Sequence, residues 1–469
     1  MFEVAVQQML RSRVGAIEAP AGTGKTEQIA LVGGNAPGRW LILTHTLAGV
    51  DAIRRRLAKH SVAADKAQVE TLSAWAHRWA RAFPIGSGLA AEWSAASKEW
   101  DAVMMAATRL IERGTVHSII TASYAGVLVD EYQDCTVAQH GLVRALSHHL
   151  PCYVFGDPLQ AIFGFRPGML ANWHSDTLAA FPQAGILSTP QRWIHAGDVA
   201  LGAWLIEQRA NFQAGIFDFR SAPPCVTWRF CAERLPAQQL AASCSIRARE
   251  GETLAVIHSS VDEVRRADLA KAIYATTVEP LGGKTERQFF EELRTRSGVG
   301  RVRAVLALVR TAYVGANASA KGKRVESLLA NPTRIRVPPT PAELALTAIA
   351  ADGSLLNVLD AIRCIESEPG VTAVRPGLVY SIKSTLRLCV ENPALQFEDA
   401  AFQAANVRRE KGRVLMNRAV GSTLLLKGLE FDHVITTPDA CENRHHWYVA
   451  LTRGTKSVRV LSPAISFEI

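Results

Sequence analysis

The segment Ala19-Pro20-Ala21-Gly22-Thr23-Gly24-Lys25-Thr26 joins small residues to a lysine and a hydroxyl, the makings of a phosphate cradle. Set between a strand and a helix, such a loop wraps backbone N–H groups around a triphosphate at the helix N-terminus, where the dipole favours negative charge. Ala21, Gly22, Thr23 and Gly24 would form the cradle, Lys25 would reach the β- and γ-phosphates, and the Thr26 hydroxyl would hold Mg²⁺. The predicted substrate is ATP. A second pattern, Ala125 to Glu131, is an apolar run ending in two carboxylates. Asp130 is suited to binding Mg²⁺ through water and Glu131 to polarising the attacking water. In a third, Cys152 to Phe155 runs into Gly156-Asp157-Pro158-Leu159-Gln160. The Gln160 amide both donates and accepts, so it can sense a γ-phosphate. Phe163, Phe165 and Arg166 follow, two rings and a cation on which single-stranded bases can stack.

These groups need a parallel sheet, whose strand C-termini line one crevice. Val14 to Glu18 reads as a strand and Lys25 to Leu31 as a helix, and alternating patterns through residue 192 predict a parallel α/β domain. Asp51 to Lys59 and Ala74 to Ala82 read as helices, with Trp75 and Trp79 assigned to the core. At 469 residues the length prior is about three domains. No apolar run reaches the roughly 18 residues of a membrane span. The N-terminus lacks a basic segment followed by an apolar one, so a cytoplasmic protein is expected. The eight cysteines form no C-x-x-C pair, which fits a reducing compartment and argues against zinc or disulfides. Lysine and arginine outnumber acids 52 to 43, a net +9 that suits a polyanionic partner.

Val129-Asp130-Glu131-Tyr132-Gln133-Asp134 and Gly156-Asp157-Pro158-Leu159-Gln160 resemble motifs of the UvrD/Rep/PcrA group of superfamily 1 DNA helicases. Lys427-Gly428-Leu429-Glu430-Phe431-Asp432 and Tyr448-Val449-Ala450-Leu451-Thr452-Arg453 resemble later motifs of the same group, in the same order. The resemblance implies two RecA-like parallel-sheet motor domains with reduced, mostly helical insertions. It implies that Arg192 and Arg453 meet the γ-phosphate from the second motor domain, and that Glu430 holds the ribose hydroxyls. Gln8 (or Gln7) is similar to the glutamine that reads adenine. Thr44, His45, Thr71, Phe163, Phe165 and Arg166 are implied DNA contacts. Several positions depart from the pattern: His45 stands for a phenylalanine, Thr71-Leu72-Ser73 for T-F-H, Leu424 for a histidine, and Gln191 for a tyrosine that stacks on adenine. These changes weaken the expected grip on adenine and DNA.

The resemblance divides the chain into a first motor domain at 1–183, with a small helical insertion at about 84–124, and a second at 184–285 plus 413–469. A helical insertion domain is expected at 286–412. Residues 294–324 carry eight lysines and arginines and no acid, a run that would track a phosphate backbone, dock an acidic partner or form a solvated basic face. Gly315 to Gly322 reads as a loop and Pro332 to Pro341 as an extended linker. The expected activity is an ATP-dependent helicase or translocase on single-stranded or tailed DNA, moving 3′ to 5′ by resemblance. The alternative, motivated by the reduced insertions and altered DNA contacts, is an ATP- and DNA-sensing regulatory subunit; compact UvrD-like proteins resembling this one occur beside OLD-family nucleases in Gabija-type antiviral systems. No membrane partner is expected.

Overall fold

The structure, a computed structural model, describes residues 4–94, 99–164, 169–246, 248–259, 261–280, 282–331, 337–411 and 417–469. Phe165, Arg166, the start of the expected linker at Pro332 and the expected boundary at 413 lie outside the described residues. The chain forms two compact units, Met1–Phe217 with Asn443–Lys456 and Glu468–Ile469, and Asp218–Glu442 with Ser457–Phe467.

In the first unit the strands are β1 (Val14–Glu18), β2 (Trp40–Thr44), β3 (Ala67–Thr71), β4 (Gly126–Val129), β5 (Cys152–Gly156) and β6 (Gln183–Ile186). They make one six-stranded sheet in the order β3-β2-β4-β5-β1-β6, with every pairing parallel. β2, β4 and β5 are buried along their whole length, which is why they read as continuous apolar runs and not as alternating ones. Helices cover both faces. Leu72–Ala82, Trp100–Glu112 and Val137–Ser147 pack on one side, with Trp75 and Trp79 in that core. Lys25–Asn35 and Leu47–Lys59 pack on the other. The expected boundary at 184 falls inside β6, the edge strand beside β1.

The order places β4, β5 and β1 side by side, so the cradle after β1, the acids after β4 and the Gly156-Asp157 turn after β5 leave the sheet at one edge. Glu18 is in register with Gly156. Thr44 and Thr71, at the ends of β2 and β3, are likewise paired.

The second unit holds another six-stranded sheet, in the order Thr276–Thr277, Arg418–Gly421, Leu254–Ile257, Phe431–Thr436, Gly454–Ser462, Val226–Phe230. In it, Thr276–Thr277 with Arg418–Gly421, Leu254–Ile257 with Arg418–Gly421 and with Phe431–Thr436, and Gly454–Ser462 with Val226–Phe230 are parallel pairs. Among the described residues, seven helices between Lys284 and Lys411 form a separate apolar core. Buried Arg375 joins this helical region to the sheet side of the unit, bonding Glu279 at 2.6 and 2.7 Å and Glu263 at 3.0 Å.

One expectation changes here. Gly315 to Gly322 is not a loop throughout, because a helix starts at Ala318 and runs to Ala330 with Gly322 inside it. Asn317, in the left-handed region, turns the chain into that helix, and the alanines and Val325 then sustain it. Four of the eight cations in the basic run are compensated. Arg294 pairs with Glu291, Arg296 with Glu292, Arg303 with Glu326 and Lys321 with Glu368, acids that lie outside residues 294–324.

One close contact fixes the centre of the first sheet. Trp40 lies opposite Gly126 in register and stacks on Tyr153 of β5, with ring centroids 5.9 Å apart. A Cβ on Gly126 would fall 2.3 to 2.8 Å from three atoms of the Trp40 ring. Gly126→Ala should therefore destabilise the protein by about 1–3 kcal/mol. Urea unfolding measures this, and Trp40→Leu in the same chain should recover part of the loss.

Candidate functional site

The cradle after β1 has the backbone its glycines imply. Gly22 and Gly24 lie in the left-handed region at φ +73° and +87°. Gly24 is the N-cap of the Lys25–Asn35 helix, and Thr26 lies in its first turn. The Thr23 hydroxyl donates to the Pro20 carbonyl at 2.7 Å, closing the loop. A side chain on Gly22 would meet the Trp193 ring at 2.5 Å and Arg192 Cβ at 3.0 Å. The Arg192 N–H donates to the Gly22 carbonyl at 2.9 Å. The turn at 191–193 therefore packs directly on the cradle, and Trp193 is held there by donating to the Gly454 carbonyl at 2.9 Å.

Lys25 Nζ lies 3.1 Å from Asp130 and 2.7 Å from Glu131. Burial alone would lower the Lys25 pKa, but the fields and hydrogen bonds of the two carboxylates outweigh it and hold the ammonium above the usual lysine range. Burial pushes the Asp130 carboxyl up, Lys25 opposes this, and the like charge of Glu131 adds to it. Glu131 is in the left-handed region at φ 55°, and its N–H donates to Asp130 Oδ1 at 2.9 Å. A non-glycine residue held this way costs about 1–3 kcal/mol and needs the surrounding structure to keep it there.

From Glu131 a chain of hydrogen bonds crosses the site. Gln133 Nε2 donates to Glu131 Oε2 at 2.5 Å, and the Asp157 N–H donates to Gln133 Oε1 at 2.9 Å. Gln160 Nε2 donates to Asp157 Oδ2 at 2.8 Å, and Arg453 Nη2 donates to Gln160 Oε1 at 3.4 Å. Arg453 is buried and also donates to the Val449 carbonyl and the Thr452 hydroxyl. Arg192 Nη1 donates to the Thr452 carbonyl at 2.6 Å, with its guanidinium 5.3 Å from the Trp193 ring centre. Lys25, Asp130, Glu131, Gln160, Arg192 and Arg453 thus gather in one unit, although residues 443–456 come to it from far along the chain.

The other expected residues sit elsewhere. Gln7 and Gln8 are exposed on the short helix Val4–Met9. Glu430 is exposed in the second unit. Thr44 is buried at the end of β2, and His45 Nε2 lies 3.6 Å from Cys135 Sγ, whose thiol burial pushes well up. Thr71 caps the Leu72–Ala82 helix by accepting from the Ala74 N–H at 3.1 Å. Phe163 is half-buried. The structure adds Gln133, Asp157, Trp193 and Arg209 to the site. Gln133 and Asp157 lay within quoted motifs, whereas Trp193 and Arg209 carry no local signal.

Among the described residues no three His, Cys, Asp or Glu side chains cluster as a metal cage. Mg²⁺ does not require one, since it is commonly held by one or two carboxylates together with substrate phosphates and water. Thr26 and Asp130 are hard oxygen donors of that kind, and Asp130 already holds a cation, the Lys25 ammonium.

Residues 90–177 match the family model of the UvrD/REP helicase N-terminal domain, a stretch that includes Asp130, Glu131, Gln133, Asp157 and Gln160. That stretch of the first unit is thus similar to the N-terminal domain of UvrD/REP helicases. Among solved structures, the Pif1 helicase from Candida albicans is similar at 12% identity, covering 99% of this chain and 96% of that one, with a TM-score of 0.42. The arterivirus nonstructural protein 10 helicase is similar at 10% identity over 98% of this chain and 61% of its own, with a TM-score of 0.35. The same helicase in complex with DNA gives 9% identity, 98% and 63% coverage and a TM-score of 0.35. This chain therefore spans less than two thirds of the arterivirus protein's length. No curated protein matches the sequence. Among the described residues no helix is long and apolar enough to cross a membrane.

Lys25 compensates a buried carboxylate, so Lys25→Met should destabilise the fold by about 3–5 kcal/mol near neutral pH. Without the ammonium, the Asp130 pKa rises further above its unfolded value. The penalty is then present where Asp130 must ionise and disappears as pH falls below that raised value. Urea unfolding of both proteins at about pH 5 and pH 8 should show the deficit shrinking on acidification.

Proposed function

We propose that the protein is an ATP hydrolase that drives movement along single-stranded DNA, in the 3′ to 5′ direction of the helicases it resembles. The observation that carries this reading is the continuous path Lys25–Glu131–Gln133–Asp157–Gln160–Arg453. It links the cradle's lysine to a buried arginine through the acid expected to polarise water.

In this reading the triphosphate takes Lys25 from the two carboxylates, leaving Glu131 free to accept a proton from the attacking water. Gln160 lies between Asp157 and Arg453 and reports the γ-phosphate to both. Arg453 and Arg192 stabilise charge as it develops on that phosphate, a role worth several kcal/mol in such sites. Thr26 and Asp130 would hold Mg²⁺, which neutralises phosphate charge when bound. Loss of the γ-phosphate removes the arginines' partner and resets the network. Thr44, His45, Thr71, Phe163, Phe165 and Arg166 are the proposed DNA contacts, Gln8 (or Gln7) the adenine contact and Glu430 the ribose contact. The motor domains are proposed at 1–183 and at 184–285 with 413–469, with residues 286–412 as the inserted domain.

A second reading is favoured by the acids that compensate residues 294–324, since they reduce the free positive charge available to grip a phosphate backbone. On that reading the protein is an ATP- and DNA-sensing subunit of a nuclease-containing antiviral complex and unwinds little.

ATP hydrolysis should be stimulated by single-stranded DNA more than by duplex DNA or RNA, and Lys25→Ala and Glu131→Gln should each abolish it. Equal hydrolysis by wild type and Lys25→Ala would defeat the proposal. Displacement of a strand from a 3′-tailed duplex supports the motor, and DNA-stimulated hydrolysis without displacement supports the sensor.

A further inference from the structure

Arg209 belongs to none of the motifs above, yet it bonds three buried side chains of the first unit. Its Nε and Nη2 donate to Glu18 Oε1 at 3.0 and 2.6 Å, and Nη2 also donates to Asp157 Oδ1 at 2.6 Å. Nη1 donates to the Tyr448 hydroxyl at 2.9 Å, with the guanidinium 5.3 Å from that ring's centre. All four side chains are buried, and Asp157 is 0% exposed. Burial would lower the Arg209 pKa, but Asp157, Tyr448 and Glu18 outweigh it and fix the guanidinium in its charged form.

All three partners of Arg209 adjoin the cradle. Glu18 is the last residue of β1, immediately before the loop. The Ala21 N–H donates to Asp157 Oδ2 at 3.1 Å and to the Tyr448 hydroxyl at 3.2 Å. Asp157 Oδ2 also accepts from Gln160, so Arg209 holds one carboxylate oxygen while Gln160 and Ala21 share the other.

We propose that Arg209 is a positioning residue for nucleotide binding, a buried cation that compensates Glu18 and Asp157 at the mouth of the cradle and orients Gln160 through Asp157. The inference rests on the ATPase reading and deepens it. Without that cation, two buried negative charges face an incoming polyanion, and Asp157 loses the bond that fixes its plane. A lysine supplies the charge but not the fork that reaches three partners at once.

The test measures ATP binding with a fluorescent nucleotide, steady-state KM and kcat, and thermal unfolding for each variant. Arg209→Gln should weaken ATP binding and raise KM, each on the order of tenfold or more, with a smaller fall in kcat. Arg209→Lys should recover part of the affinity. The double variant Glu18→Gln/Arg209→Gln should bind ATP better than Arg209→Gln alone, because one uncompensated charge is gone. If Arg209→Gln does not fold, the lysine and double variants carry the same comparison. ATP affinity unchanged in Arg209→Gln, or a folded double variant with no recovery over the single one, overturns the inference while leaving the ATPase reading intact. A wild-type protein that neither binds nor hydrolyses ATP overturns both.

Discussion

The first unit is organised around one electrostatic constraint: four carboxylates lie at the edge of its sheet, and three of them are buried. Glu18, Asp130 and Asp157 have left water, and each is tolerated because a cation sits against it. Isolated buried charge is costly, and even a paired one gives little net stability compared with an apolar replacement. What the arrangement provides is definition. Lys25 can satisfy Asp130 and Glu131 only if β1 and β4 end at the same level, and Arg209 can satisfy Glu18 and Asp157 only if β1 and β5 do. The parallel order β4-β5-β1 meets both conditions.

Much of this was legible in the chain. The strand at Val14–Glu18 and the helix from Lys25 were readable because an apolar run, a glycine-rich turn and a helical pattern follow each other within about twenty residues. The strand ends carrying Asp130 and Asp157 were equally plain. What escaped was long-range and single-residue in nature. Arg209 meets Glu18 across 191 positions, and nothing near it in the chain marks it out from a surface arginine. Trp193 reads as an ordinary core aromatic until its ring is seen against Gly22. Gly315 to Gly322 was misread because its glycines were taken as loop formers, while the helix Ala318–Ala330, anchored by buried Ala318, Val325 and Leu328, runs through Gly322.

Composition also told only part of the electrostatics. A net charge of +9 and an acid-free basic segment invite a polyanion reading for that segment. In the folded protein four of those eight cations meet glutamates, at distances from 2.5 to 3.7 Å. A charge run read along the chain omits acids that folding brings alongside, and local electrostatics is settled by those partners.

The strained backbone at Glu131 has an evolutionary corollary. Replacement by glycine or asparagine would ease that conformation, so the slope of folding energy at this codon points away from the carboxylate. Libraries screened for heat tolerance alone should drift toward inert proteins here. Retention of glutamate in a lineage would record continuous purifying selection for turnover rather than for a sturdier scaffold.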